Sequence, residues 1–151
     1  MENHKFLAGA ARVDITPPMG TILGVDMFPH YARFIHDPLH VKALVLTDGK
    51  IIVAIVIVDT CIMGTDFMDD IKGRIQKETG IQPENVLLAS NHDHGAGNVV
   101  GLLGGAVDIE YRNKLPNDEL LYRRFRFEIQ CIYPKFSKLF VEQQRILLFS
   151  F

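Results

Sequence analysis

The chain has 151 residues, 48% hydrophobic and 23% charged, with a net charge of −2; that is room for one domain with a buried core and hardly for two. Its longest apolar run, at 51–58, falls far short of the ~20 residues a membrane-crossing helix needs. The N-terminus has no basic start followed by an apolar core, and Cys61 and Cys131 form neither a disulfide framework nor a cysteine-rich zinc knot, so a cytosolic protein without a transmembrane segment is the default expectation.

Residues 6–13 read as a short strand, ended by Asp14-Ile15-Thr16-Pro17-Pro18. Two prolines fix φ and remove donors, which predicts a rigid, extended loop there. Residues 20–40 show no clear period and read as a structured surface loop. His30, His36 and His40 fall in it, and loop or hydrogen-bonding roles suit them better than ligation, because metal sites are scarce.

The clearest short-range signal is a β-hairpin at 41–58, two apolar runs joined through Asp48-Gly49. Asp-Gly predicts a tight primed turn with positive φ at its centre. The second run, IIVAIVIV at 51–58, is apolar without alternation and predicts a central strand covered on both faces. Next comes a helix at 65–79. Thr65 is the expected cap, Asp66, Asp69 and Asp70 suit its N-terminal end, and Arg74 and Lys77 suit its C-terminal end. Phe67, Met68, Ile71 and Ile75 supply its apolar stripe, and Gly80 closes it. A further strand at 86–90 completes a βαβ unit, so 51–58 and 86–90 should be parallel. The fold class is therefore α/β, a mixed sheet containing that unit and the hairpin.

The stretch NVLLASNHDHGAG at 85–97 runs from this last strand into a polar tip with His92 and His94 one residue apart. If the run is a strand, alternation puts both imidazoles on one side and Asp93 on the other, and Gly95 and Gly97 let the backbone turn sharply and leave room for a ligand. Two neutral imidazoles can converge on zinc, though a turn carrying two exposed histidines is the plainer reading of a bare His-x-His. Asp59 falls past the end of the neighbouring strand, on the edge where ligands of open α/β sheets sit. It can orient an imidazole, ligate a metal, or serve as a turn residue. Cys61 can act as a nucleophile with His92 as base, but a buried small hydrophobe is the commoner fate of such a cysteine. A metallo-β-lactamase motif would need an acid and a histidine where Ala96 and Gly97 stand, and no Walker loop, His-Glu-x-x-His or Gly-x-Ser-x-Gly occurs. GLLGG at 101–105 reads as a flexible loop beside the site.

The character of the chain changes near its end. Residues 1–110 hold 8 Lys+Arg against 14 Asp+Glu, while 111–151 hold 8 against 4 and 9 of the 14 aromatics, with no glycine after Gly105. The expected division is 1–122 and a basic, aromatic tail at 123–151. RRFRF at 123–127 has no aromatic-box motif, so no nucleic-acid partner is expected; salt-dependent binding would mark one.

LAGAARVDITPPMG at 7–20, HDPLHVKALVLTDG at 36–49, the strand ending in Val58-Asp59-Thr60, and NVLLASNHDHGAG together resemble the N-terminal catalytic domain of the neutral/alkaline non-lysosomal ceramidase family, over about residues 5–110. The resemblance implies a zinc amidohydrolase that cleaves the N-acyl amide of ceramide or a related lipid amide. The family's first motif histidine, a zinc ligand, falls on His92, and His94 becomes a second ligand or proton shuttle, with Asp59 as the orienting carboxylate. Asn91 stands where threonine is usual, and Gly95-Ala96-Gly97 replaces Ser-Gly-Pro. Family members continue for hundreds of residues and supply a further histidine, a glutamate and a tyrosine to the zinc. The tail's loss of glycine and alanine resembles out-of-frame translation or a truncated gene copy. The alternative is thus a non-catalytic fragment of such an enzyme.

Overall fold

The computed structural model describes residues 6–24, 27–103 and 105–117, with the short strand at 149–150. The remainder of the expected tail at 123–151 lies outside the described residues. The elements are β1 (Leu7–Asp14), β2 (Ile22–Leu23), β3 (His30–Tyr31), β4 (His40–Thr47), β5 (Ile52–Val58), α1 (Thr65–Thr79), β6 (Val86–Ser90), α2 (Ile109–Asn117) and β7 (Phe149–Ser150). The main sheet has the order β6-β5-β4-β1-β7, and β2 and β3 form a separate ribbon. β4 is antiparallel to both β1 and β5, β7 adds antiparallel to β1, and β5 and β6 are parallel. This is the expected mixed α/β sheet with its βαβ unit. No helix among the described residues is long and apolar enough to cross a membrane.

The β4–β5 hairpin forms where expected, but its turn is wider than a primed one. Thr47 pairs with Ile52, leaving residues 48–51 as the loop. Only Gly49 takes positive φ there, at 90°. Asp48 Oδ1 accepts the N–H groups of Lys50 and Ile51 at 2.8 and 2.9 Å, and the Thr47 hydroxyl donates to the Ile51 carbonyl at 2.6 Å. The aspartate side chain does the work of a turn hydrogen bond, so the chain needs no second left-handed residue.

β5 also departs from expectation. Ala54, Val56 and Val58 are buried, whereas Val53 is 37% exposed and Ile55 and Ile57 are half-buried. Among the described residues only one face of the strand is covered, by Phe67, Ile71 and Ile75 of α1. Each of these large side chains contributes about 2 kcal/mol by leaving water. The helix N-cap is Gly64, not Thr65, with no side-chain bond; Gly80 caps the other end at φ 78°, its N–H bonded to the Gln76 carbonyl.

For function, the register matters most. Ala54 through Val58 pair in step with Val86 through Ser90, so both strands end level with each other. The loops carrying Asp59 and His92 therefore leave the sheet side by side.

Candidate metal centre

Beyond the strand ends the two loops stay stitched together. The Asn91 N–H donates to the Val58 carbonyl at 3.3 Å, and the Asp93 N–H donates to the Thr60 carbonyl at 3.1 Å. His92 lies between these bonds at φ 64°, a left-handed conformation that a non-glycine residue seldom takes. Strand alternation thus stops at Ser90, and it is this turn that brings the imidazoles together. Their ring centroids are 5.1 Å apart, at 82° to each other.

His92 Nδ1 lies 3.0 Å from the Cys61 carbonyl oxygen. A carbonyl can only accept, so this contact is a hydrogen bond in the tautomer that carries its proton on Nδ1, and that tautomer leaves the Nε2 lone pair for a metal. A backbone carbonyl holding the far nitrogen is how metal-binding histidines are commonly oriented. Cys61 is buried, with Sγ 3.9 Å from the same Nδ1. One donor atom from each of Cys61, His92 and His94 lies within 4.8 Å of the others, a donor set whose chemistry fits a zinc-type cation. Beside them, Thr60 Oγ1 is buried with no hydrogen-bond partner among the described residues, an oddity that tends to mark functional sites.

Asp59 is 5% exposed and faces the sheet. Oδ2 accepts the His40 N–H at 2.8 Å, Oδ1 accepts the Asn91 side-chain amide at 2.8 Å, and Lys42 Nζ lies 3.2 Å from both oxygens. The His40 ring is 4.0 Å away. The carboxylate thus ties β4 to the base of the histidine loop, through the residue next to His92. His36 pairs with its neighbour Asp37 at 2.7 Å, and His30 sits in β3.

The outer wall comes from distant segments. Gly24 takes φ 61° and packs so closely that a Cβ there would lie 2.9 Å from the His94 carbonyl oxygen. Its N–H donates to the Ala96 carbonyl at 2.8 Å, Leu23 bridges to Gly97, and the Asn98 N–H donates to the Ile22 carbonyl. Gly97 does not leave room for a ligand. A Cβ there would run into the Tyr111 ring, which fills the space. The Tyr111 hydroxyl donates to the Ile15 carbonyl at 2.7 Å, and burial pushes its pKa up, helped by the charges of Asp14, Asp108 and Asp59. Asp108 caps α2 by accepting the Tyr111 N–H and also accepts the Ile22 N–H. The one local signal for this wall is the capping pattern Asp108-x-x-Tyr111. A groove of about 580 Å³, bordered by Leu23, Pro29, Tyr31, Phe34 and Leu39, runs up to Asp93 and Gly95 of the histidine loop.

The sequence matches no protein-family model and no curated protein. Solved structures do match. A ceramidase complexed with C2 superposes with a TM-score of 0.62 at 19% identity, covering 76% of this chain and 20% of that one. Neutral ceramidase from Pseudomonas aeruginosa gives a TM-score of 0.64 at 18% identity, covering 88% of this chain and 22% of that one. At such identity the likeness is one of fold, and it joins with the mixed sheet described above: this chain carries a ceramidase-like α/β fold that spans about a fifth of the length of the ceramidases it matches.

Proposed function

We propose that this chain supplies part of the catalytic site of a zinc-dependent amide hydrolase acting on the N-acyl amide of ceramide or a related lipid amide. The observation that supports it is the His92–His94 pair, rings 5.1 Å apart, at the carboxyl edge of a sheet with ceramidase-like fold. His92 and His94 would hold the ion, which supplies polarisation of an amide carbonyl and activation of water. His92 is oriented by the Cys61 carbonyl. His94, exposed like His92, is the residue to hand a proton to or from the substrate if it leaves the metal. Asp59 is a positioning residue that fixes Asn91 and with it the loop. The groove under the β2–β3 ribbon, apolar along Leu23, Tyr31, Phe34 and Leu39, suits a hydrocarbon chain whose polar end reaches Asp93.

A second reading concerns the 151 residues alone. A catalytic zinc takes about three protein ligands plus an open position, and the chain spans about a fifth of the ceramidases it matches. By itself it would bind metal without turnover, with 1–122 as the ceramidase-like portion and 123–151 as a segment of different character. Fluorescent ceramide and short N-acyl amines, assayed with and without chelator, separate the readings. Chelator-sensitive hydrolysis lost in His92→Ala is the result expected of a working site. Metal binding lost in His92→Ala without any hydrolysis is that expected of a non-catalytic portion. Zinc retention unaffected by His92→Ala would overturn both.

A further inference from the structure

We propose that Cys61 is the third protein ligand of this centre, making it a Cys–His–His site for a thiophilic divalent cation. The inference rests on His92 and His94 being metal ligands and adds a donor from the β5–α1 loop. Proximity is the first argument. The Cys61 sulfur and one ring nitrogen from each histidine already lie within 4.8 Å of each other, and His92 Nδ1 is 3.9 Å from the sulfur. In a tetrahedral zinc site, with sulfur at about 2.3 Å and nitrogen at about 2.0–2.1 Å, ligand atoms stand on the order of 3.5 Å apart. Side-chain torsions at His92 and His94, both exposed, can bring one nitrogen of each ring to that spacing from the sulfur.

The second argument is how the loops are joined. His92 is held in a left-handed conformation with its Nδ1 3.0 Å from the Cys61 carbonyl oxygen, so the ligand loop is registered against the cysteine residue itself. A core cysteine chosen only for its size would need no such imidazole 3.9 Å from its sulfur. Strain of this kind persists where the surroundings over-determine it, which is common at functional sites. The third argument is selectivity. One thiolate with two imidazoles favours zinc, cobalt or cadmium over magnesium or calcium, which take oxygen ligands.

The test uses the full chain carrying Cys131→Ser, so that Cys61 is its one thiol, titrated with Co²⁺ in oxygen-free buffer. The expected result is a near-ultraviolet sulfur-to-cobalt charge-transfer band together with the visible bands of a tetrahedral ion. Cys61→Ser should remove the first and weaken cobalt binding roughly tenfold or more, since even outer-shell changes cost that much. Visible bands that vanish in His92→Ala, with no charge-transfer band at any stage, would leave the histidine site standing and overturn the role of Cys61. No cobalt uptake would overturn both. Should Cys61→Ser fail to fold, alkylation of the Cys131→Ser chain decides the matter. Zinc is expected to slow labelling of Cys61 severalfold, and equal rates with and without zinc would end the proposal.

Discussion

Two loops leave the carboxyl edge of the sheet side by side, and they are built in opposite ways. In the first, Asp59, Thr60 and Cys61 are 5%, 1% and 4% exposed, and the carboxylate is spent on β4 and on Asn91. In the second, Asn91, His92, His94 and Gly95 are exposed, and its hydrogen bonds run mostly back to its neighbour. The two loops divide the labour. The buried loop supplies rigidity and one sulfur; the exposed loop supplies imidazoles and tolerates local strain to aim one of them. Mutations should therefore separate in the main: stability is lost at Asp59, metal binding at His92 and His94, and Cys61 is the one position of the buried loop where metal binding is lost as well.

The largest expected effect lies in the buried loop. Asp59→Ala strips acceptors from the His40 N–H, the Asn91 amide and Lys42. Bonds to a carboxylate are worth about 1.5–3 kcal/mol each, less for the half-exposed lysine, so a loss of about 3 kcal/mol is expected in urea denaturation. A loss below about 1 kcal/mol would show that the loop does not carry the scaffold. Gly97→Ala should follow at about 1–3 kcal/mol, because the new methyl must displace the Tyr111 ring. If it proves neutral, the outer wall is softer than its packing implies.

Tyr111→Phe tests that wall from the other side. It leaves the Ile15 carbonyl without its buried donor and should cost about 1–2 kcal/mol near neutral pH. The pH dependence has a definite sign. Burial raises the folded-state pKa of Tyr111 above the ordinary value near 10, so its contribution is complete below that value and is lost as pH rises through the folded pKa. The stability gap between the natural chain and Tyr111→Phe should therefore narrow above pH ~10. A gap that stays constant there would mean that Tyr111 ionises alike in both states.

How much of this was legible in the residues follows from sequence distance. The hairpin and α1 rest on local signals, the Asp48-Gly49 turn and the stripe of Phe67, Ile71 and Ile75, and these formed with small errors at the turn and cap. The edge carrying Asp59 and His92 followed from βαβ geometry. What was not legible is long-range. The Tyr111–Ile15 bond joins residues 96 apart, and the Asp108–Ile22 bond residues 86 apart. β2 and β3 have two residues each, too short for any period to show. Gly24 looks like an ordinary loop glycine until the His94 carbonyl is seen against it. Cys61 reads most simply as a buried small hydrophobe, with a nucleophile's role beside His92 the rarer alternative; its place among metal donors is seen only when both imidazoles stand next to its sulfur.

The smallest predicted effect bears most directly on the exposed loop. At φ 64° a residue with a Cβ is strained by about 1–2 kcal/mol, while glycine is not. His92→Ala keeps that strain and loses the bond to the Cys61 carbonyl, worth about 0.5–1.5 kcal/mol. His92→Gly loses the same bond but relieves the strain, offset in part by the greater freedom of glycine in the unfolded chain. Glycine should therefore be more stable than alanine here by roughly 1 kcal/mol, reversing the usual order of the two. Both variants should lose the metal. Paired urea curves and cobalt titrations of the two proteins make the comparison, since a bystander turn histidine would leave cobalt uptake intact in each. If alanine matches glycine in stability, His92 is not held left-handed, and the turn that brings the two imidazoles within 5.1 Å of each other loses its basis.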